Sequence, residues 1–330
     1  MSVLWAGGED LSFQNGTLPT VDTTSGHFRS GYARCALLPA SGVAKGNQFS
    51  AVTSAWAGCR TECGNWFSFS NYNPRVFGLG QFSSSKSLVI GTSGSNGRKA
   101  TLCKYDGSTL TVLASEAGAS FVDTAIQYLI IQVISYGATA TVNVWIDGVL
   151  VINFAGDVTV SGMTNMDCVV LGPQSGFGSG FSPVMSEVIV ADEDIRTFSL
   201  FTQAGTGTGW DDLWTGAYTD CNPITINDAN AVYTQTAGQD EAFALTSLPS
   251  GTFSVKAVLA AARAQKTSGS PIGTLKLGWY TSSTVAVDSG HALTSAWECY
   301  ENLALLNPVT ATNWTQSDIG SLQEDLQSAA

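Results

Sequence analysis

The residues best suited to chemistry crowd the stretch from 65 to 77, where Trp66, Phe67, Phe69, Tyr72 and Phe77 are interleaved with Asn65, Asn71 and Asn73. Aromatic rings offer flat apolar faces to the C–H groups of sugars, and asparagine amides both donate and accept hydrogen bonds. Trp66, Asn71, Tyr72 and Asn73 are therefore the candidate contacts for a glycan or a protein partner. The same alternation also suits a sandwich core: Trp66, Ser68 and Ser70 share one side of a strand and would face inward with no ligand involved.

Sets able to break bonds are harder to assemble. A glycosidase needs two carboxylates flanking the sugar bond. The nearest acidic run, Asp192-Glu193-Asp194, follows an apolar strand and reads as a solvated turn. No Glu-x-Asp-x-Glu run occurs, and no serine sits at a strand-to-helix elbow. The two histidines, His27 and His291, each follow a glycine, as turn residues do. The Gly-rich run 91–99 lacks the Gly-Lys-Ser/Thr ending of a phosphate loop. Cys59 and Cys63 stand four apart, with no second cysteine pair or nearby histidine to complete a zinc site. A disulfide between them and two free thiols both fit that spacing. No loop gathers the six to eight oxygen ligands that calcium takes. The expectation is a non-enzymatic protein with no catalytic residues, no metal and no cofactor.

Charge narrows the partners. Fourteen Lys and Arg stand against 26 Asp and Glu, a net charge of −12, with no basic cluster. Such a chain does not track phosphates and is not drawn to anionic membranes, so neither nucleic acid nor membrane is an expected partner. No run approaches the roughly 18 apolar residues of a membrane span, and the start Met1-Ser2-Val3-Leu4-Trp5 has no basic region of a secretory leader. Seven cysteines, mostly isolated among small or apolar residues, suit a reducing compartment. Charged residues are only 12% of the chain against 44% hydrophobic, which excludes intrinsic disorder.

The elements that must position any site read as strands. Residues 141–146 and 149–152 alternate around Asp147-Gly148, a pair suited to a type I′ hairpin turn because both central residues need positive φ. Similar runs fall at 87–91, 100–105, 110–114, 127–135, 169–171 and 187–191, and Asp106-Gly107 marks a second turn. In the second half, 253–259, 274–280 and 296–301 read the same way. The small-residue stretch Thr202-Gln203-Ala204-Gly205-Thr206-Gly207-Thr208-Gly209 reads as a linker, with Trp210 and Trp214 docking it onto a domain. Near the end, Thr315 caps a helix with Asp318 three residues on, and Ile319, Leu322 and Leu326 keep helical spacing. The expected layout is a first domain over 1–200, a linker over 201–216 and a second domain over 217–330.

Several of these runs resemble tailed-phage virion proteins that carry a concanavalin A-like (laminin G-like) jelly roll. The runs are Leu4-Trp5-Ala6-Gly7-Gly8-Glu9-Asp10, Phe28-Arg29-Ser30-Gly31-Tyr32, Trp145-Ile146-Asp147-Gly148 and the stretch from Met185 to Arg196. Past the linker, Ile226-Asn227-Asp228, the run from Gln239 to Leu245 and Asn313-Trp314-Thr315 are similar to a second β domain often joined to the first. The resemblance implies an all-β chain: a concanavalin A-like jelly roll, then a smaller β-sandwich with a short C-terminal helix. It implies a virion location, assembly in the host cytoplasm, and a non-enzymatic structural role as a tail or fibre appendage or a capsid decoration. Other virion proteins and further copies of the chain, as a homo-oligomer, are the implied partners. The competing reading is an adhesion module for a host-surface glycan. Similar C-terminal domains end on a strand after that helix, and the stretch from Leu322 to Ala330 read as helix leaves its place open to a neighbouring subunit.

Overall fold

The computed structural model describes residues 2–7, 15–16, 20–22, 35–37, 43–62, 75–93, 98–122, 125–172, 184–221, 228–281 and 283–330. They form two compact units, Met1–Leu200 and Phe201–Ala330. The fold is all-β, a jelly-roll sandwich and a smaller β-sandwich, as expected.

The first unit contains β1 (Val3–Gly7), β2 (Asn15–Gly16), β3 (Thr20–Asp22), β4 (Cys35–Leu37), β5 (Ala44–Lys45), β6 (Ala55–Glu62), β7 (Arg75–Gly80) and β8 (Ser87–Thr92). It continues with β9 (Ala100–Tyr105), β10 (Leu110–Ser115), β11 (Gln127–Ser135), β12 (Ala140–Ile146), β13 (Val149–Gly156), β14 (Cys168–Leu171) and β15 (Val184–Ala191). Two antiparallel sheets result, in the orders β13-β12-β11-β6-β15-β4-β3, with β1 on β15, and β10-β9-β8-β7-β14-β5-β2. Side chains of alternate residues meet between them: Leu129, Ile131 and Val133 of β11, Val142 and Val144 of β12, and Phe77, Leu79, Leu88 and Ile90 from the facing sheet.

The first sheet is covered on its outer face too. Tyr128, Ile130, Trp145, Ile189 and Ile195 form a second cluster, with Phe198 and Leu200 packed against it. That is why 127–133 reads as an unbroken buried strand rather than an alternating one. A bulge in β15 puts Glu187 at φ 48°. Its buried carboxylate pairs with Arg60 Nε at 3.0 Å and accepts Leu200 N–H at 3.3 Å, which holds the covering segment down.

The two Asp-Gly turns differ. Asp147 and Gly148 take φ 51° and 80°, and Ile146 pairs with Val149, so this is the tight hairpin expected. At the second turn Tyr105 pairs with Leu110, and only Gly107 has positive φ. There Asp106 Oδ1 accepts the N–H groups of Ser108 and Thr109, a side-chain turn that replaces the two-residue one.

The second unit contains β16 (Gly205–Asp212), α1 (Tyr218–Cys221), β17 (Asp240–Leu245), β18 (Val258–Ala264), β19 (Thr274–Thr281), β20 (Thr284–Val287), β21 (His291–Ala292), β22 (Glu298–Ala304), α2 (Gln316–Gly320) and β23 (Gln323–Ala329). The main sheet runs β16-β17-β23-β19-β20, with β21 on β19, and β18 pairs with β22 in a two-stranded sheet. Phe243, Leu275, Leu277, Trp279, Trp314, Ile319, Leu322 and Leu326 make the core.

Three expectations are corrected here. Residues 205–212 are no linker but β16, paired with β17; glycine and threonine suit an edge strand whose backbone partner supplies the order that composition lacks. The capping box at Thr315 and Asp318 is present, yet the helix stops at Gly320. Leu322 and Leu326, four apart, satisfy strand alternation as well as helical spacing; both enter the core, Leu322 just before β23 and Leu326 within it. The place thought open is filled by β23 itself, in the middle of the sheet. The run at 253–259 starts its strand only at Val258, where pairing with β22 begins.

Gly148 has open space around it and φ +80°, so a side chain there meets no clash but a strained backbone. Gly148→Val is expected to destabilise the first unit by about 1 kcal/mol or more, read as a lower denaturant midpoint. An unchanged midpoint would contradict the left-handed turn.

Candidate functional site

The outer face of the main sheet in the second unit carries a site built around Trp210. Between Thr208, paired with Phe243, and Asp212, paired with Glu241, three residues of β16 oppose one of β17. The excess bulges over the sheet face. Gly209 makes that passage fit: a Cβ there would lie 2.7 Å from Ala242 C and 2.6 Å from Gln323 Oε1. The bulge carries the Trp210 ring across β17 to β23 and β19. Its indole N–H donates to Asp325 Oδ1 at 3.1 Å, its main-chain N–H donates to Gln323 Oε1 at 2.6 Å, and its ring stacks on Tyr280 at 5.0 Å and 13°. Despite these anchors Trp210 stays 39% exposed.

Beside this stack runs a polar row on the same face. Lys276 Nζ donates to Gln327 Oε1 at 3.0 Å, and Gln327 Nε2 donates to Asp240 Oδ1 at 2.9 Å. An exposed ring beside ordered amide, ammonium and carboxylate groups can stack on a sugar face and bond its hydroxyls.

Three carboxyls of this unit are pushed up to about 7. Burial is the main cause for each, joined by the charges of Asp240 and Asp211 for Asp325, of Asp212 and Asp211 for Glu241, and of Asp325 for Glu324. Only one of them lies at the Trp210 site. Alternation places Asp325 under Trp210 on the outer face. Glu241, opposite Leu326, and Glu324, opposite Phe243 and Trp279, point to the core side. Glu241 there accepts the Trp214 main-chain N–H at 3.0 Å.

Other candidates resolve into structure. Trp56 and Trp145 also stack at 5.0 Å, but Trp145 is only 7% exposed and Arg196 lies over both rings. In the acidic turn, Asp192 accepts from Ser2 and Asp194 pairs with Arg196. His291 Nε2 lies 2.7 Å from Asp288 Oδ2, whose partner Oδ1 accepts Gly290 N–H, which ties down a turn. Buried Cys59 lies with its Sγ 3.9 Å from Met185 Sδ. Among the described residues no three His, Cys, Asp or Glu side chains gather to hold a metal, and no helix is long and apolar enough to cross a membrane. Trp66, Asn71, Tyr72 and Asn73, with His27 and Cys63, lie outside the described residues. Sequence reading took Trp210 only as a linker anchor. The signal available was a bulky aromatic following a small glycine in a run of alternating small residues.

No family model and no curated protein matches the chain. Among solved structures it is similar to an alginate lyase variant in complex with alginate trisaccharide, at 10% identity and a TM-score of 0.37, over 49% of this chain and 82% of that one. It is similar to a cellulose-induced protein at 15% identity and a TM-score of 0.40, over 57% and 90%. An endo-β-1,4-glucuronan lyase from the fungus Trichoderma reesei gives 14% identity and a TM-score of 0.40, over 58% and 96%. The expectation of a structural component of a tailed-phage particle is corrected here: these structures are named for polysaccharide lyases and a cellulose-induced protein, and none of the three for a virion. Two of the motifs behind that expectation are ones the fold itself demands. Trp145-Ile146-Asp147-Gly148 makes a tight hairpin beneath a covered aromatic, and Met185 to Ala191 makes a bulged strand buried on both faces.

The raised carboxyls set a pH dependence. In the unfolded chain they lose their protons near pH 4, whereas in the folded unit they hold them to about pH 7. Between those values the unfolded state binds fewer protons, so stability falls as pH rises, by about 1.4 kcal/mol per pH unit for each proton of difference, and levels above pH 7. Asp228 and Asp318, held low by Arg263 and by the Thr315 cap, act in the opposite sense only below about pH 4. The denaturant midpoint of the second unit is therefore expected to be lower at pH 8 than at pH 5; a higher midpoint at pH 8 would contradict the assignment.

Proposed function

We propose that the protein is a glycan-binding adhesion module, with the Trp210–Tyr280 stack as its sugar platform. The observation that carries this reading is an indole that is pinned by Asp325 and stacked on Tyr280, yet remains 39% exposed beside a row of ordered polar side chains. An aromatic ring held in one orientation loses little entropy on binding, and that favours affinity. Of the raised carboxyls only Asp325 lies at the platform, while Glu241 and Glu324 turn to the core side; a glycosidase needs two beside the sugar bond, which favours binding over cleavage.

Charge selects the ligand class. The second unit contains four Lys and Arg against twelve Asp and Glu, and Asp211, Asp240 and Asp325 surround the platform. A polyanionic chain would be repelled, so the ligand is a neutral surface polysaccharide.

Trp210→Ala is expected to weaken retardation of the full-length protein in gels containing neutral glucan, xylan or mannan. The loss should be about 30-fold, the effect of removing about 2 kcal/mol at a tryptophan hot spot, while the melting temperature stays within a few degrees. Undiminished retardation by the polysaccharide that binds the parent protein would refute the platform. Gly209→Val, which crowds Ala242, is expected to lower the same retardation with Trp210 still present; wild-type retardation would show that the bulge does not position the ring.

A further inference from the structure

Asp325 has no exposed surface, and its two oxygens are treated unequally. Oδ1 accepts the Trp210 indole N–H, whereas Oδ2 is buried with no hydrogen-bond partner. We infer that Asp325 is a proton-controlled pin for the Trp210 platform: as the neutral acid it keeps the indole closed over Tyr280, and on ionising it releases the ring.

The surroundings supply the reason. From β16 comes Asp211, and from β17 comes Asp240, which already accepts from Gln327. From β19 come Tyr280, engaged in the stack, and Lys276, whose ammonium is bonded to Gln327. Thr284–Val287 of β20 contains no titratable side chain. On β23 itself, Glu324 faces the other way. Asp325 thus has like charges near it and no cation bonded to it. A buried carboxylate with one oxygen unmatched is far costlier than a neutral acid, and burial with the Asp240 and Asp211 charges outweighs the opposing pull of the Trp210 hydrogen bond and pushes this carboxyl up to about 7.

The cheapest way to solvate an ionised Oδ2 is to lift its cover. The neighbour best placed to move is Trp210, which is bonded to Oδ1, is part-exposed, sits on a strand bulge and follows a glycine. Raising the pH through neutrality therefore opens the platform. The consequence for a ligand rests on the glycan-binding reading: a ring ordered only below neutral pH binds sugar more tightly there.

The test is a pH titration of the full-length protein from pH 5 to pH 9, followed by near-ultraviolet circular dichroism, with Trp210→Phe identifying the band of the Trp210–Tyr280 pair. The band should be lost with a midpoint near neutrality, and Asp325→Asn should hold it constant. Should that variant fail to fold, Asp211→Asn with Asp240→Asn answers the same question: removing the two neighbouring charges should move the midpoint to lower pH. A transition that persists in Asp325→Asn, a midpoint indifferent to the paired substitution, or no transition in the parent protein would each overturn the inference. Retardation by neutral glucan, xylan and mannan is compared at pH 5.5 and 8.5. Stronger retardation at pH 5.5 supports the link to ligand, and equal retardation at both overturns it. No retardation at either pH, with the spectral transition intact, refutes the glycan reading and leaves the pin standing.

Discussion

The second unit is organised by the position of one strand. β23 pairs with β17 on one side and β19 on the other, so its alternate side chains serve two environments. Leu326 enters the core with Phe243 and Leu277, while Asp325 emerges on the opposite face, where it meets Trp210. Core and platform are thus registered to each other by a period of two residues. A slip of one residue would place a carboxyl in the core and a leucine under the indole.

In the first unit the same alternation is used differently. Both faces of the sheet containing β11, β6 and β15 are buried, one by the facing sheet and one by the segment after β15. The Glu187 bulge breaks the register of β15 where that segment must be caught, and the pair with Arg60 takes up the buried charge. Removing one partner of such a pair leaves the other unmatched, so the two act as a unit.

Two aromatic stacks of nearly equal geometry therefore have different uses. Trp56 and Trp145 lie beneath a covering segment and an arginine, so their area contributes to packing. Trp210 and Tyr280 lie on a face that the described residues leave partly open, so part of the Trp210 ring stays exposed. Ring separation and tilt are alike in the two; what differs is what the chain does next. After β15 it folds back over the sheet, whereas after β16 it turns away through Trp214, whose main-chain N–H bonds Glu241 on the core side.

Local signals in the sequence were enough for much of the fold. Short apolar runs marked 100–105 and 127–135 at their observed bounds, Asp147-Gly148 defined its hairpin, and Thr315 with Asp318 defined the start of α2. Each of these depends on residues within one or two turns of chain. The platform does not. Its parts, Trp210, Tyr280 and Asp325, are separated by up to 115 positions, and none carries a local mark of function. A glycine-rich run reads as a linker until a partner strand supplies its hydrogen bonds, and Leu322 with Leu326 suits helix and strand equally. Only pairing with β17 and β19 settled both choices, because backbone hydrogen bonds to distant strands outweigh the weak preferences of small residues.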